Sequence, residues 1–312
     1  MNRAVEVVRA VGAIRATAVV AAAVEVGDAG AEVAVAVAAE AESLVEVPLI
    51  GIGFRSPIAD WIFSNPSTID CLEVTAEHFF DGGESQLERL RELYPISVHG
   101  LGLSLGTPGP IDTKALASFK RVADAAHARW ISEQIAFTKT DDVDLGHLNS
   151  VPPTMDSLKT LVDHAREVMD LCQRPLLLEN ITSYLRFPGE ISETEFINRL
   201  CEQAGAGLLL DVTNLFINSR NHDFDPVEWL RRINPTIIKQ LHIVGYSFHN
   251  GVWHDRHCEP IQEELLELAT EVIAYASVEV VILERDVAIP EPRELELELI
   301  HLEKACESAR CS

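Results

Sequence analysis

Positive charge is scarce in this sequence. The 312 residues include 25 Lys and Arg against 49 Asp and Glu, which gives a formal net charge of −24 at pH 7. Binding of nucleic acid requires a basic surface that neutralises phosphates, and docking on anionic lipid requires one as well. The charge balance therefore argues against nucleic-acid and membrane partners. Most of the acidic excess is expected to be a solvated surface, and part of it is available for metal cations.

Long apolar runs and paired cysteines are missing too. No stretch reaches the roughly 18 apolar residues that span a bilayer. The six cysteines form no CxxC pair and no zinc-finger spacing. In a chain of this length, reduced thiols in a cytoplasmic protein are the simplest account of them. No Gly-x-Gly-x-x-Gly follows the first predicted strand, which disfavours dinucleotide binding.

Residues 1–47 differ in composition from the rest of the chain. More than half of these positions are Ala or Val, and the segment contains neither an aromatic residue nor a proline. Such low-complexity sequence does not specify a packed core. We therefore expect a poorly ordered extension over residues 1–47 and a catalytic domain over residues 48–312.

From residue 48 onward, short apolar runs alternate with longer amphipathic segments. The runs predict strands near 49–53, 71–75, 96–99, 130–135, 175–180, 206–212, 238–244 and 278–284. The amphipathic segments predict helices near 84–93, 113–128, 155–172, 192–203, 226–233, 260–275 and 291–307, with helix-start signals at Asp112 and Ser192. Eight strands that alternate with helices indicate an α/β fold, a (β/α)8 TIM-type barrel. An open doubly wound sheet is the alternative.

Ligand-type side chains occupy the carboxyl ends of six successive predicted strands. In a barrel these ends converge on one mouth, where active sites are built. A ring of carboxylates there would resist ionisation unless cations offset it. Imidazole and carboxylate together suit iron, manganese or zinc, and the set exceeds what one ion normally takes, so we expect more than one ion with a bridging carboxylate. The strand-end residues are His99, Glu133, Glu179 followed by Asn180, Asp211 followed by Asn214, His242, and Glu284 followed by Asp286.

A second polar cluster follows the seventh predicted strand, at Asp255-Arg256-His257. This segment is placed to swing a carboxylate and an imidazole over the mouth. We predict catalytic roles for Asp255 and His257, in moving protons or holding the substrate. The alternative is an ordinary polar surface loop.

Ten spaced motifs between residues 49 and 290 also resemble one known family. In family order they are GIGFR at 51–55, EVTAEH at 73–78, SVHGLGLS at 97–104, ISE at 131–133, LLLEN at 176–180 with SY at 183–184, LLLDVTN at 208–214, FDP at 224–226, His242, DRH at 255–257 and LERD at 283–286. They resemble the multinuclear non-haem iron-dependent oxidative enzymes, the group that includes the methanobactin-biosynthesis oxidase and the thiaglutamate-pathway enzyme.

The resemblance implies a xylose-isomerase-like TIM barrel that holds two or three irons in mixed Fe(II)/Fe(III) states and uses O2 as cosubstrate. It implies oxidative modification of a ribosomally synthesised precursor peptide, most often at a cysteine, and a small partner protein that delivers the peptide. The implied metal ligands are His99, Glu133, Glu179, Asp211, His242, Asp255, His257 and Glu284, with Asn180 and Asn214 as cofactor-binding candidates.

Two positions depart from the family pattern. Many members have a histidine where this chain has Thr75, and His78 lies three residues later. Many have Glu-His where this chain has Glu133-Gln134. The number of irons, two or three, stays open on this evidence, and so does compensation by His78.

Two other functions fit the same residues. A divalent-metal barrel of the sugar-isomerase or phosphodiester-hydrolase type also places Glu, Asp and His at its strand ends. An inactive metal-binding scaffold barrel, altered at positions such as Thr75, is the non-enzymatic alternative.

Overall fold

The structure, a computed structural model, describes residues 47–64, 66–140 and 143–311. The predicted extension at residues 1–47 lies outside the described residues except for Val47, so that division of the chain stays a prediction. The barrel belongs to the unit that spans Glu46–Ser312.

Eight parallel strands form a closed barrel. They are β1 (Leu49–Gly53), β2 (Cys71–Thr75), β3 (Ile96–His99), β4 (Ile131–Gln134), β7 (Leu176–Glu179), β8 (Gly207–Asp211), β9 (Ile238–Ile243) and β12 (Val280–Leu283). Their order around the barrel is β1-β12-β9-β8-β7-β4-β3-β2, and closure comes from β1 and β12, where Leu49 pairs with Val280. The predicted (β/α)8 barrel is confirmed and the open sheet is excluded, because neither edge of the sheet is left free.

Helices surround this barrel and match the predicted segments closely. Both predicted start signals are confirmed, since Asp112 accepts hydrogen bonds from the amides of Lys114 and Ala115, and Ser192 accepts one from that of Glu195. Among the described residues, no helix combines the length and apolar character needed to cross a membrane. The helices are α1 (Ala59–Phe63), α2 (Glu84–Arg91), α3 (Thr113–Ala126), α4 (Met155–Cys172), α5 (Glu193–Ala204), α6 (Val212–His222), α7 (Pro226–Leu230), α8 (Glu263–Tyr275) and α9 (Pro292–Cys311), with 3-10 turns at Ser56–Ile58, Ala76–Phe79 and Pro235–Ile237.

Two antiparallel hairpins interrupt the alternation of strand and helix, and the sequence analysis did not predict them. The first joins β5 (Ala136–Lys139) to β6 (Asp144–Ser150) directly after β4. The second joins β10 (Gly245–His249) to β11 (Val252–Glu259) directly after β9. Both therefore lie at the carboxyl ends of barrel strands, where they border the mouth.

The barrel interior changes from apolar to polar toward the mouth. Side chains on a strand alternate between the two faces, so every second residue points inward. The inward apolar cluster is Cys71, Trp130, Leu177, Leu209, Val280 and Ile282. Closer to the mouth, inward positions on β2 and β9 carry Glu73, Gln240 and His242, all buried. The outward positions pack against the helices in the main core.

Core packing on α4 yields a stability prediction. Leu161 is fully buried, whereas Leu171 on the same helix is 42% exposed. Leu161→Ala is expected to lower the free energy of unfolding by about 2–5 kcal/mol, because it leaves a cavity in a close-packed interior. Leu171→Ala, the matched control, should change it by about 0.5 kcal/mol or less. Urea unfolding followed by circular dichroism measures both, and equal values would contradict the assigned core.

Candidate metal centre

Four buried side chains from four neighbouring strands converge at the barrel mouth. Glu179 ends β7, Asp211 ends β8, His242 lies on β9, and Glu284 directly follows β12. Each offers one ligand atom, and these atoms all lie within 4.8 Å of one another. We call this set the central cluster. It combines three carboxylates with one imidazole, a donor set that first-row metals accept.

A second set, the loop cluster, shares one residue with the first. His257, Glu284 and Asp286 also offer ligand atoms within 4.8 Å of one another. His257 comes from the irregular part of β11 and adopts a left-handed backbone conformation with φ of 52°. Its carbonyl accepts hydrogen bonds from the amides of Asp286 (3.1 Å) and Val287 (3.2 Å), which hold this uncommon conformation in place. Glu284 thus belongs to both the central cluster and the loop cluster.

A buried hydrogen-bond chain orients His242. Its Nε2 lies 2.7 Å from Oε1 of Glu73, deeper in the barrel. The other oxygen of Glu73 accepts hydrogen bonds from Gln240 Nε2 (2.6 Å) and Ser97 Oγ (3.1 Å). The Nδ1 of His242 then faces Glu179 at 3.1 Å and Glu284 at 3.0 Å. Glu73 thus holds one ring nitrogen and leaves the other directed into the central cluster.

Negative charge in the central cluster shifts several pKa values. Burial disfavours the charged imidazole of His242. The carboxylates of Glu73, Glu284 and Glu179 outweigh this effect and raise the pKa of His242 well above its usual value. Burial and neighbouring carboxylates raise the pKa of Asp211 well above its usual value. When no metal ion is bound, protons therefore neutralise part of the negative charge of these carboxylates. A bound cation would take the place of the protons.

Two buried atoms at the mouth make no hydrogen bond. Oδ1 of Asp255 has none, although the other oxygen of Asp255 lies 2.9 Å from His257 Nε2. Nδ1 of His257 has none either, although it lies 3.2 Å from Oδ2 of Asp286. Buried polar atoms are normally paired, so Oδ1 of Asp255 calls for a further partner. A metal ion is a partner that suits both an imidazole and a carboxylate.

His99 lies beside the central cluster. Its Nδ1 is 2.8 Å from Ser132 Oγ, and its Nε2 is 3.3 Å from Oε2 of Glu179. The amide of Gln134 lies 3.0 Å from the same Nε2 and also donates a hydrogen bond to Glu179. His99 therefore faces the site as predicted, with Gln134 between it and Glu179. Its role as a ligand stays a prediction.

Glu133 is not brought together with the other predicted ligands. Ser132 and Gln134 occupy the inward face of β4, so the alternation of side chains directs Glu133 away from the barrel axis. Its carboxylate accepts hydrogen bonds from the amides of Leu103 (2.7 Å) and Gln134 (3.2 Å). Burial, reinforced by the charge of Glu77, raises the pKa of Glu133 to about 8. This geometry favours a role in holding the loop after β3.

The two predicted asparagines hold the backbone around Asp211. Asn180 donates to the carbonyl of Asp211 (3.0 Å) and accepts from its amide (2.9 Å). Asn214 donates to the carbonyl of Asn180 (3.1 Å), and its own amide donates to Oδ1 of Asp211 (2.7 Å). Both side chains therefore position a ligand candidate. Of the residues that depart from the family pattern, Thr75 is buried, and His78 is exposed and does not line the cavity at the mouth.

Sequence reasoning missed three contributors to this site. Asp286 was noted beyond its strand but not assigned as a ligand, and the structure puts it in the loop cluster. Glu73 was noted only as part of the EVTAEH motif. It lies two residues before Thr75 and therefore on the same, inward face of the strand, and this position could have identified it as part of the site. Arg55, which ends the GIGFR motif, pairs with Asp286 and lies 3.7 Å from Glu284.

The fold and this cluster of donors define a TIM-barrel protein with a candidate metal centre at its mouth. The model of the RiPP precursor modification enzymes MbnB/TglH/ChrH matches residues 49–307, and the chain belongs to this family. RiPPs are ribosomally synthesised and post-translationally modified peptides, so membership implies a peptide substrate. The predicted family is thereby confirmed.

Two bacterial relatives of this chain are UPF0276 proteins. A UPF0276 protein of Chromobacterium violaceum is 34% identical over 252 residues, which cover 80% of this chain and 91% of that protein. A UPF0276 protein of Streptomyces avermitilis is 34% identical over 269 residues, which cover 83% of this chain but only 55% of that protein.

Solved structures resemble the fold at low sequence identity. Endonuclease IV from Thermus thermophilus matches with a TM-score of 0.55 at 16% identity, covering 84% of this chain and 99% of that one. A xylose isomerase domain protein from Planctomyces limnophilus matches with a TM-score of 0.55 at 12% identity, covering 85% and 98%. These likenesses confirm a xylose-isomerase-like barrel and carry nothing about the reaction.

The contact between Glu73 and His242 yields a prediction about metal affinity. Glu73→Gln keeps the shape of the side chain. Both carboxylate oxygens of Glu73 accept hydrogen bonds, whereas glutamine has only one oxygen to accept them. We expect affinity for a divalent metal to fall about 10- to 100-fold, as is common when a partner of a ligating histidine is removed. Anaerobic titration against a chelator measures it. Ser97→Ala, which removes only one donor to Glu73, should have a smaller effect; wild-type affinity in Glu73→Gln would contradict the assigned role.

Proposed function

We propose that this protein uses a multinuclear iron centre and O2 to oxidise a cysteine of a ribosomally synthesised precursor peptide. The single observation that carries the proposal is Glu284, which belongs to both ligand clusters. One carboxylate placed between two donor sets favours two adjacent ions over one. Family membership supplies the class of substrate.

The donor chemistry supports iron. The two clusters contain imidazole and carboxylate groups and no thiolate, a set that suits iron and other first-row metals better than a soft-metal site. We assign two irons to the central and loop clusters, with a third as the alternative where His99 faces Glu179. The proposed state is mixed Fe(II)/Fe(III). When bound, such ions supply O2 activation and lower the pKa of a coordinated substrate thiol.

The chain's own residues bind and orient the substrate and handle protons. The mouth opens into a cavity of about 530 Å³, which we call the mouth cavity. Asp255 and His257 line it, and their hydrogen bond gives an acid–base pair beside the reacting groups. Tyr184 and Leu101, which are both exposed, also line this cavity. We propose that His257, supported by Asp255, holds or moves a proton at the substrate.

A small partner protein that delivers the peptide is part of this proposal. It follows from the family resemblance, in which such a protein accompanies the enzyme. The sugar-isomerase, phosphodiester-hydrolase and inactive-scaffold alternatives become outcomes of the test. Anaerobically iron-loaded protein should consume O2 only when supplied with the short cysteine-bearing peptide encoded beside its gene. Activity with zinc or manganese and no peptide would favour a hydrolase or isomerase, and no bound metal would favour a scaffold.

Loss of charge in the central cluster should reduce iron content. After anaerobic loading, the parent protein is expected to hold at least two irons per chain. Glu179→Gln keeps the size of the side chain and removes the negative charge that offsets the cations, so its iron content should be lower. Elemental analysis measures both. Glu190→Gln, an exposed site on the loop after β7, is the matched control and should keep full iron. Unchanged iron in Glu179→Gln would count against Glu179 as a ligand.

Loss of the loop imidazole should impair chemistry more than folding. His257→Ala removes an imidazole that can ligate metal or carry a proton, without touching the apolar core. We expect a normal circular dichroism spectrum, partial iron content and loss of most peptide-dependent O2 consumption. His249→Ala, an exposed histidine on the same hairpin, serves as control and should keep full activity. If His257→Ala oxidises the peptide at the parental rate in a single turnover, the loop takes no part in the reaction.

A further inference from the structure

A second cavity of about 260 Å³ lies beside the mouth cavity, and we call it the side cavity. We propose that it accepts a large apolar side chain of the precursor peptide, close in sequence to the residue that is modified. This inference rests on the proposed function, because it needs a peptide at the mouth. The floor of the side cavity is apolar, formed by Ile135, Val151, Phe196, Ile197 and Phe224.

The two cavities share a wall. The residues that line both are Ser150, Ile181, Ser183, Leu185 and Phe187. Four of these five belong to the loop that follows β7, directly after Glu179 and Asn180. An extended peptide advances about 3.3–3.6 Å per residue. A peptide whose reactive residue enters the mouth therefore carries its neighbouring side chains over this wall and to the side cavity.

Three polar side chains of the side cavity already have partners within the protein, and the guanidinium of Arg186 lies over the ring of Phe224, 5.8 Å from its centroid. Asn218 donates to the carbonyl of Ile181 (2.8 Å) and accepts from the amide of Ser183 (2.8 Å). Nε2 of His222 lies 2.7 Å from the carbonyl of Ser183. Glu193 accepts a hydrogen bond from the indole of Trp229 at 3.1 Å. A side chain that enters finds hydrocarbon and satisfied polar groups, which selects an apolar occupant over a polar one.

Several large apolar side chains at the entrance to the side cavity are exposed to solvent. Tyr184 is 54% exposed, Leu185 67% and Phe187 42%, within four consecutive residues. On the other side of the mouth, Leu101 is 39% exposed. Contiguous exposed apolar residues beside a polar site are typical of a surface that binds a ligand. Continuity with the mouth cavity favours the peptide over a second copy of the chain as the occupant.

Designed peptides test the proposal with the full-length, metal-loaded protein under anaerobic conditions. The probes are heptapeptides of Gly and Ser with a central Cys and one Leu or Phe, moved through the six other positions. Dissociation constants come from fluorescence anisotropy. One position, within three residues of the Cys, should tighten binding about tenfold or more, the effect of burying one large apolar side chain.

Two matched variants localise the effect. Phe187→Ser removes an apolar wall residue and should abolish most of the position-specific gain. Phe248→Ser makes the same change at a residue that is 58% exposed on the β10–β11 hairpin and lines neither cavity, so it should keep the gain. Equal loss in both variants, or none in Phe187→Ser, would overturn the assignment to the side cavity.

Failure of this inference is distinguishable from failure of the proposed function. If Cys→Ala in the probe weakens binding while the apolar residue has no effect at any position, the side cavity is not a peptide subsite and the proposed function stands. If the apolar gain persists while Cys→Ala and metal removal change nothing, the subsite stands and the proposed function fails. If Phe187→Ser changes only the oligomeric state in size-exclusion chromatography, the occupant is a second copy and the inference is wrong.

Discussion

Buried negative charge at the barrel mouth is the constraint on which the rest of the site depends. Glu179, Asp211 and Glu284 converge within 4.8 Å, and Glu73 lies directly beneath His242. Carboxylates this close and this buried cannot all ionise unless positive charge accompanies them. Arg55 and two imidazoles of raised pKa, His242 and His257, provide part of it. The carboxylate of Glu284, which belongs to both clusters, and the buried Oδ1 of Asp255, which makes no hydrogen bond, lie where bound cations would complete the balance.

Sequence periodicity was sufficient to predict the barrel and most of this site. The strand ends at His99, Glu179, Asp211, His242 and Glu284 were identified because parallel strands of a barrel present their carboxyl ends at one mouth. The orientation of Glu133 was harder to predict, because neighbouring residues of a strand point to opposite faces. Gln134 points inward, so Glu133 points away from the barrel axis. The β10–β11 hairpin carried a signal that was not used, the Asn250-Gly251 turn, in which both residues have positive φ. The chain from Glu73 to His242 joins residues 169 apart in sequence, and no local pattern predicts such a contact.

Loops at the barrel mouth carry much of the candidate site in this chain. At 12–16% identity, the solved structures share the strands and helices, and function follows from what is attached to the mouth. Here the irregular part of β11 brings Asp255 and His257 to the loop cluster, and the loop after β7 separates two cavities. We propose that neighbouring segments on one rigid scaffold carry peptide recognition and metal binding, which lets one change without the other.

The most direct test of the proposed iron centre is anomalous diffraction from crystals of the anaerobically iron-loaded protein, recorded above and below the iron absorption edge. We predict at least two iron peaks on either side of Glu284. One should contact Glu179, Asp211 and His242, and the other should contact His257 and Asp286. A single peak away from Glu284, or a peak that appears only at the zinc edge, would contradict a multinuclear iron centre.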